Sequence, residues 1–292
     1  MSNFWNIYQL YEDERIRTEA NQRHYRKVLS ELENWLHTDF LSITPSQAND
    51  FYNYIKTSKL AITTKNERLR IVKSIGVYME EKISDYRSPF THLRPYSRQS
   101  FLKKEEMLTM EELSLAMAIA ENSNNWRAFL AMVLAFRLCL TTSEIVSLRS
   151  IHFKKGNDEQ MYLTVPAKEF RERTILVPED VYTIIHKINP GFFTGEISTL
   201  LYNDKTRMPI KEVTITKQIA IISKKAGIPI TLQSIRNLGI LLYYKTNPDK
   251  NLLAEYLGSK GNWLFRFDRL AKEPINNIKS QNVTIHLNGE VY

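Results

Sequence analysis

Apolar residues recur at helical spacing through the first part of the chain. In residues 18–36 they fall on one side of a period of about 3.6 residues, as in an amphipathic helix that packs on a core. Comparable patterns predict helices over residues 3–14, 46–56 and 63–81. The predicted core-facing side chains are Phe4, Ile7, Tyr8, Tyr11, Tyr25, Val28, Leu29, Leu32, Leu36, Leu69, Val72, Ile75 and Met79. The pattern therefore predicts a small helical domain over residues 1–87.

The helical pattern stops after residue 85. Pro89 and Pro95 obstruct helix formation, and the residues around them are rich in arginine and lysine. We expect residues 88–105 to form a basic linker between two domains.

The remaining residues, 106–292, form a second predicted domain. Residues 161–177 contain two short β-rich runs around a charged centre, which predicts a hairpin. Apolar periodicity predicts helices over 108–122, 125–142, 178–188, 209–226, 231–245 and 248–258. The expected fold class is mainly α with a small β-hairpin or sheet.

The composition adds a basic charge to this picture. The chain has 40 Lys and Arg against 32 Asp and Glu, which gives a formal net charge of +8. Such an excess favours a polyanionic partner such as nucleic acid. An ordinary soluble protein can carry the same charge, so composition alone leaves both readings open.

Other residue types limit the chemistry. The one cysteine, Cys139, has apolar neighbours and is expected to be a buried, inert thiol. We find no signal peptide, no apolar run long enough to span a membrane, no glycine-rich phosphate loop and no metal-ligand spacing. We therefore expect a cytoplasmic protein without a metal, a cofactor or a membrane partner.

Five segments occur in an order and at a spacing that resemble the tyrosine recombinase (phage integrase) family. The resemblance implies a helical core-binding domain followed by an α+β catalytic-type domain. It also implies a clamp around double-stranded DNA. The segments are LAITTKNERLRIVKSIGVYMEE, LCLTTSEIVSLRSIHF, VPAKEFRERTILVPEDV, ITLQSIRNLGILLYYKT and LLAEYLGSKGNWLFRFDRLA.

The same resemblance implies that most catalytic positions have changed. In the family a tyrosine attacks the scissile phosphate, two arginines hold its oxygens, and a lysine and histidine-type residues assist proton transfer. The first arginine position falls on Thr141, the histidine positions on Gln233 and Ser259, and the nucleophile position on Phe267, or on Asp268 without a gap. Lys168 and Arg236 match the family, so the chain resembles a degenerate member unable to cleave DNA.

The resemblance also places the candidate DNA contacts. They are Lys65, Arg68, Lys73, Lys168, Lys211, Thr214, Lys217, Gln218 and Arg236, with Gln22, Arg23 and Arg26 as weaker candidates. Each has a plainer interpretation: a solvated hairpin tip for Lys168, a structural ion pair for Arg236 and ordinary polar helix faces for the others. Glu144 is expected to have a structural role.

These observations lead to one main functional hypothesis and three alternatives. The main hypothesis is a sequence-specific double-stranded DNA-binding protein without cleavage activity, such as a transcriptional repressor of a phage or other mobile element. The alternatives are a recombinase with a displaced nucleophile such as Tyr292 acting in trans, an accessory protein of an active recombinase, and a helical protein without a nucleic-acid role. Self-association is expected through the strand-like tail, residues 272–292, or through the helix at residues 3–14, although the tail could instead fold onto its own domain.

Overall fold

The chain folds into two compact units, Met1–Gln99 and Ser100–Tyr292. The computed structural model describes residues 3–16, 18–96, 102–166, 172–272, 286–287 and 290–291. Both units are mainly helical, and the second contains a small three-stranded antiparallel sheet. The predicted fold class, mainly α with a small sheet in a two-domain arrangement, is confirmed.

The first unit is built on the helices that the apolar periodicity predicted. Their bounds are α1 Asn3–Arg15, α2 Glu19–Leu36, α3 Pro45–Thr57 and α4 Ile62–Lys82. The side chains of Thr18 and Thr44 accept hydrogen bonds from backbone N–H groups in the first turns of α2 and α3, which caps both helices. Of the predicted core residues, Ile7 and Leu36 are half-buried and the rest are buried.

Described residues at both ends of the segment predicted as a linker, residues 88–105, pack in the cores of the two units. Phe90, Leu93 and Tyr96 are buried in the core of the first unit. At the other end, Leu102 is buried in the second unit, and its backbone N–H donates to the carbonyl of Arg266 at 3.1 Å. Pro89 and Pro95 disfavour a helix here, but isolated apolar side chains still anchor the segment to the core.

The second unit surrounds the buried helix α6. Almost every side chain of α6 is buried, which explains its nearly continuous apolar sequence. The helices are α5 Met110–Asn122, α6 Trp126–Arg137, α7 Thr142–Ser147, α8 Glu179–Ile188, α9 Glu212–Ala226, α10 Leu232–Thr246, α11 Lys250–Tyr256 and α12 Asp268–Lys272. A single turn of 3-10 helix, Leu264–Phe267, precedes α12.

The predicted hairpin is present and belongs to a three-stranded sheet. The strands are β1 Phe153–Lys155, β2 Met161–Val165 and β3 Arg173–Leu176, all antiparallel, in the order β1–β2–β3. Leu163 pairs with Ile175 in the centre of the sheet, and both side chains are buried in the main core of the second unit. Strand β1 was not predicted, since three residues are too few to show an alternating pattern.

The helix predicted over residues 125–142 ends earlier than expected. Helix α6 stops at Arg137, and Cys139 has a left-handed backbone conformation with φ 51° that turns the chain toward α7. Helix α10 crosses α6 at this point with close backbone contact. A Cβ atom at Gly239 would lie only 2.1 Å from the carbonyl oxygen of Phe136.

The tail contains two very short strands, β4 His286–Leu287 and β5 Glu290–Val291, which pair with each other in antiparallel orientation. This pairing agrees with the strand-like pattern of the tail, while the other residues after Lys272 lie outside the described residues. None of the helices within the described residues combines the length and apolar character that crossing a membrane requires.

Candidate functional site

Thr141, at the predicted position of the first catalytic arginine, is the N-cap residue of helix α7. Its hydroxyl accepts from the backbone N–H of Glu144 at 3.3 Å, and its own N–H donates to Oε2 of Glu144 at 2.7 Å. This reciprocal pair is a capping box, which satisfies otherwise unpaired donors at the start of a helix. Thr141 therefore has a structural function that an arginine could not perform.

Glu144 also binds an arginine from the sheet. Nη1 of Arg173, the first residue of β3, donates to Oε1 of Glu144 at 2.6 Å. Burial raises the pKa of Glu144, but the hydrogen bonds from Arg173 and Thr141 and the charge of Arg173 outweigh burial and leave this pKa below its ordinary value. The carboxylate thus stays ionised, in agreement with the structural role expected for Glu144.

Arg236, predicted as a retained phosphate ligand, is buried in the first part of α10. Its Nε donates to the carbonyl oxygen of Cys139 at 2.6 Å, and its guanidinium lies over the ring of Trp263 at 5.7 Å. Burial lowers the pKa of Arg236. The plainer interpretation of Arg236 was a structural ion pair. The structure instead shows a backbone hydrogen bond and an aromatic contact.

The two predicted histidine positions have local polar partners. Gln233 is exposed on α10 and donates through Nε2 to Oδ1 of Asn237 at 2.7 Å. Ser259 lies just after α11, and its hydroxyl accepts from the N–H of Gly261 at 3.2 Å. Neither residue carries a group that titrates near neutral pH, as a histidine does.

The predicted nucleophile position lies in a hydrophobic cluster. Phe267 is only 1% exposed and packs edge-on against Trp263, with ring centroids 6.0 Å apart. The neighbouring Asp268 accepts from the hydroxyl of Tyr244 at 3.1 Å and pairs with Lys250 at 2.6 Å. Phe267 is therefore a core residue and Asp268 a surface partner.

Three tyrosines lie near this cluster. The rings of Tyr243 and Tyr256 are stacked with centroids 4.6 Å apart, and Tyr244 bonds to Asp268. Burial is the main cause that raises the pKa of Tyr243, Tyr244 and Tyr256 above the ordinary value. A raised pKa disfavours the phenolate form of all three.

The candidate DNA contacts of the first unit do not form one group of free cations. Nζ of Lys65 donates to the carbonyl of Lys56 at 2.7 Å, and Nζ of Lys73 donates to the carbonyl of Leu93 at 2.8 Å. Arg68 is paired with Glu31, and its side chain is only 15% exposed. Arg68 is thus paired with a carboxylate, whereas both lysines bond to uncharged backbone carbonyls.

Two of the weaker candidates in the first unit are also paired. Arg26 binds the buried carboxylate of Glu12, and Arg23 pairs with Glu19 at 3.8 Å on the surface. Gln22 donates to the carbonyl of Ile16 at 3.4 Å. Through its pair with Glu12, Arg26 joins α2 to α1.

The candidate residues around α9 divide into two groups. Lys211, just before the helix, and Lys217 are exposed to solvent. Thr214 and Gln218 are half-buried, and the Oε1 atom of Gln218 is buried without a hydrogen-bond partner. Of the four candidates around α9, Lys211 and Lys217 are therefore the ones exposed to a ligand. Lys168 lies outside the described residues.

Sequence reasoning missed Arg173 and Trp263 as members of this region. Arg173 lies in the hairpin segment five residues after Lys168, and the arginine in that block was the available signal. Trp263 carried no signal, because only the fold brings its ring over Arg236. Among the described residues, no three His, Cys, Asp or Glu side chains form a group that could hold a metal ion.

The first unit has four helices, and the second combines helices with an antiparallel sheet and contains Thr141, Arg173 and Arg236. This arrangement defines a protein with the tyrosine recombinase (integrase) fold. Its fold is similar to that of a lambda integrase dimer bound to a COC′ core site, with TM-score 0.69 and 15% identity over 95% of this chain and 97% of that one. The Tn1549 transposon integrase in complex with circular intermediate DNA gives TM-score 0.66 and 15% identity, over 91% of this chain and 94% of that one.

A third similar structure is the XerH site-specific recombinase bound to its difH substrate. It gives TM-score 0.61 and 15% identity, over 92% of this chain and 84% of that one. No protein-family model matches the sequence, and no curated protein shows significant sequence similarity to it. The predicted integrase-like fold is thus confirmed by the similarity of the structures. A sequence identity of 15% supports a shared fold and nothing further.

Proposed function

We propose that this chain is a sequence-specific double-stranded DNA-binding protein that uses a recombinase fold without cleaving DNA. We further propose that it acts as a transcriptional repressor of a phage or another mobile element. The similar lambda, Tn1549 and XerH structures are DNA complexes, which supports DNA as the partner.

The observation that carries the proposal is the buried phenyl ring of Phe267. A hydrocarbon ring has no oxygen to attack phosphorus, and at 1% exposure it contributes to the hydrophobic core instead. Thr141 supports the same conclusion, because its hydroxyl and N–H are engaged in capping α7. The loss of chemistry at both positions leaves a protein suited to binding.

The nearby tyrosines also support binding without cleavage. A nucleophilic phenol needs a lowered pKa or an adjacent base. Burial instead raises the pKa of Tyr243 and Tyr256, and their rings are stacked with centroids 4.6 Å apart. These phenols therefore resemble packing residues more than activated nucleophiles.

The test combines site selection with a cleavage trap. The full chain is used to select duplexes from a random library, and the best site is then made as a nicked suicide substrate that traps any covalent protein–DNA product. We expect selective binding over a polyanion competitor, with no covalent adduct. An adduct at Tyr292 would instead support a recombinase acting in trans, and failure to select any duplex would reject the DNA-binding proposal.

The regulatory part is tested separately by occupancy in cells. We expect the chain to occupy sites that overlap promoters of its own element, and to reduce transcription from them. Binding only in the presence of an active recombinase would contradict a repressor and favour an accessory protein. Self-association through the tail, residues 272–292, or through α1 belongs to the same proposal and is measured by sedimentation with and without the selected duplex.

A further inference from the structure

Helix α9 carries apolar side chains on two opposite faces. Ile215, Ile219 and Ile222 are buried in the main core of the second unit. On the other side, the side chains of Val213 and Ile221 are 54% and 56% exposed. Since successive residues of a helix are rotated by about 100°, Val213 points almost directly away from the buried stripe. The helix therefore buries one apolar face and leaves a second one in water.

The exposed face has a row of three side chains, Val213, Lys217 and Ile221, which we call the α9 ridge. They follow one another at intervals of four residues, so they form one ridge of the helix surface. The two apolar side chains are about 12 Å apart along the helix axis. Lys217 lies midway between them, is exposed, and forms no ion pair within the part of the chain that the structure describes. The next position of the row, Lys225, donates to Oγ of Ser123 at 2.9 Å, which ends the ridge.

The residues beside the α9 ridge are small, so a partner can approach it closely. Thr216 and Ala220 are exposed at adjacent positions of the same face. The hydroxyl of Thr216 donates to the carbonyl of Glu212 at 3.0 Å, so it is bonded within its own helix. A partner of the ridge must therefore accept a positive charge at its middle and offer apolar groups at both ends.

Charge selects duplex DNA as the partner. In a two-fold contact centred on the α9 ridge, the Lys217 side chains of two copies would face each other, and the chain already has a net charge of +8. Duplex DNA has a negative charge about every 1.7 Å along its axis, and its major groove, about 12 Å wide, admits an α-helix. The apolar group that the floor of this groove presents is the 5-methyl group of thymine. The groove thus offers both features that the ridge requires.

We propose that Val213 and Ile221 pack against the 5-methyl groups of two thymines in the major groove, while the ammonium of Lys217 reaches a phosphate between them. These contacts rest on the proposed DNA-binding function and identify part of the sequence that is read. Base pairs are stacked about 3.4 Å apart, so a separation of about 12 Å corresponds to thymines about three or four base pairs apart.

The first experiment uses the full chain and the duplex that it selects from a random library. Each thymine of this duplex is replaced in turn by uracil, which keeps the base pair, the O4 acceptor and the charge but lacks the 5-methyl group. Fluorescence anisotropy measures the affinity for each duplex. We expect two positions, about three or four base pairs apart, at which uracil weakens binding about fourfold, with little change elsewhere.

The second experiment repeats the uracil scan with side-chain variants. Val213→Ala should lose the preference for thymine at one of the two positions, and Ile221→Ala should lose it at the other, because each variant lacks the apolar group that contacts the methyl. Leu115→Ala is the matched control, since Leu115 is another exposed apolar residue on a helix of the same unit, at 45% exposure on α5. It should keep the preference for thymine at both positions.

Uracil without effect at every position would overturn the methyl contacts while the proposed function stands, and so would an effect that persists in both alanine variants. A library that yields no duplex would reject the proposed function and these contacts together. Sedimentation without DNA tests a second copy of the chain as the occupant, and Ile221→Glu should leave the state of association unchanged. If Ile221→Glu dissociates an assembly of the free chain, the α9 ridge is an interface between copies and the DNA contact is wrong.

Discussion

Arg173 and Glu144 join strand β3 to the first turn of α7 through an ion pair with an Nη1–Oε1 distance of 2.6 Å. The same carboxylate receives the N–H and hydroxyl of Thr141 at 2.7 and 2.9 Å. Glu144 therefore holds together a helix N-terminus and a sheet edge that are 29 residues apart in the chain. This shared carboxylate makes the region around Thr141 a structural junction.

Replacement of Glu144 by glutamine should destabilise the second unit by about 3 kcal/mol, because Arg173 would remain buried without a counter-charge. Glutamine keeps an oxygen for the N–H of Thr141, so most of the cap survives. The measurement is urea unfolding followed by circular dichroism. In a double-mutant cycle with Arg173→Met, the double variant should be more stable than the sum of the single effects predicts, and simple additivity would contradict the coupling.

Much of the fold could be predicted because long helices repeat their apolar pattern several times. Helices α2 and α4 follow the predicted stripes closely. The pattern failed where single contacts decide the structure: Phe90 packs between residues that prevent a helix, and α6 ends where Cys139 adopts a left-handed conformation. Neither feature has a period, so neither gives a signal in the sequence.

The candidate site was predictable only in part. The order of the five segments assigned Thr141 and Phe267 to two catalytic positions of the recombinase family. The Thr-x-x-Glu spacing at Thr141 is itself a signature of a capping box. The pairing of Arg173 with Glu144 and the placing of Trp263 over Arg236 depend on tertiary packing. Sequence spacing alone contains no information on such contacts between distant elements.

The first unit should lose stability in acid through Glu12. This carboxylate is 1% exposed, and the hydrogen bond from Arg26 lowers its pKa below the ordinary value of 4.5, against the opposing effect of burial. Because the folded pKa is the lower one, the stabilisation is present above the unfolded pKa and is lost as pH falls through the folded pKa.

Thermal unfolding between about pH 6 and about pH 3 tests this expectation. Glu12→Gln should be less stable than wild type by about 2 kcal/mol near neutral pH and should approach wild type in acid. The exposed Glu19→Gln, which removes the surface partner of Arg23, is the control and should follow the wild-type profile. A constant difference between Glu12→Gln and wild type at all pH values would be inconsistent with this assignment.

Gly239 should tolerate no side chain, because α10 and α6 are in backbone contact there. The Cβ atom of alanine would lie 2.1 Å from the Phe136 carbonyl oxygen, so one helix must move. We expect Gly239→Ala to cost about 3 kcal/mol or more. Gly227→Ala is the control: at φ 67° it has backbone strain of about 1 kcal/mol but no atom within 4 Å. Equal melting temperatures for the two variants would refute the close approach.

The exposed ammonium of Lys217 should contribute to DNA binding if α9 contacts the duplex, as the resemblance to the recombinase family implies. Removing one phosphate contact reduces the slope of log affinity against log salt by about 0.9, which corresponds to about fourfold weaker binding near 0.2 M salt. Lys217→Ala is therefore expected to bind the selected duplex about fourfold more weakly, with a shallower salt dependence, in fluorescence anisotropy titrations. Lys224→Ala removes the same charge from the last turn of the same helix and should change neither quantity, because Lys224 lies two turns further along α9. Equal losses in both variants would mean that the helix acts only through general charge and does not dock at Lys217.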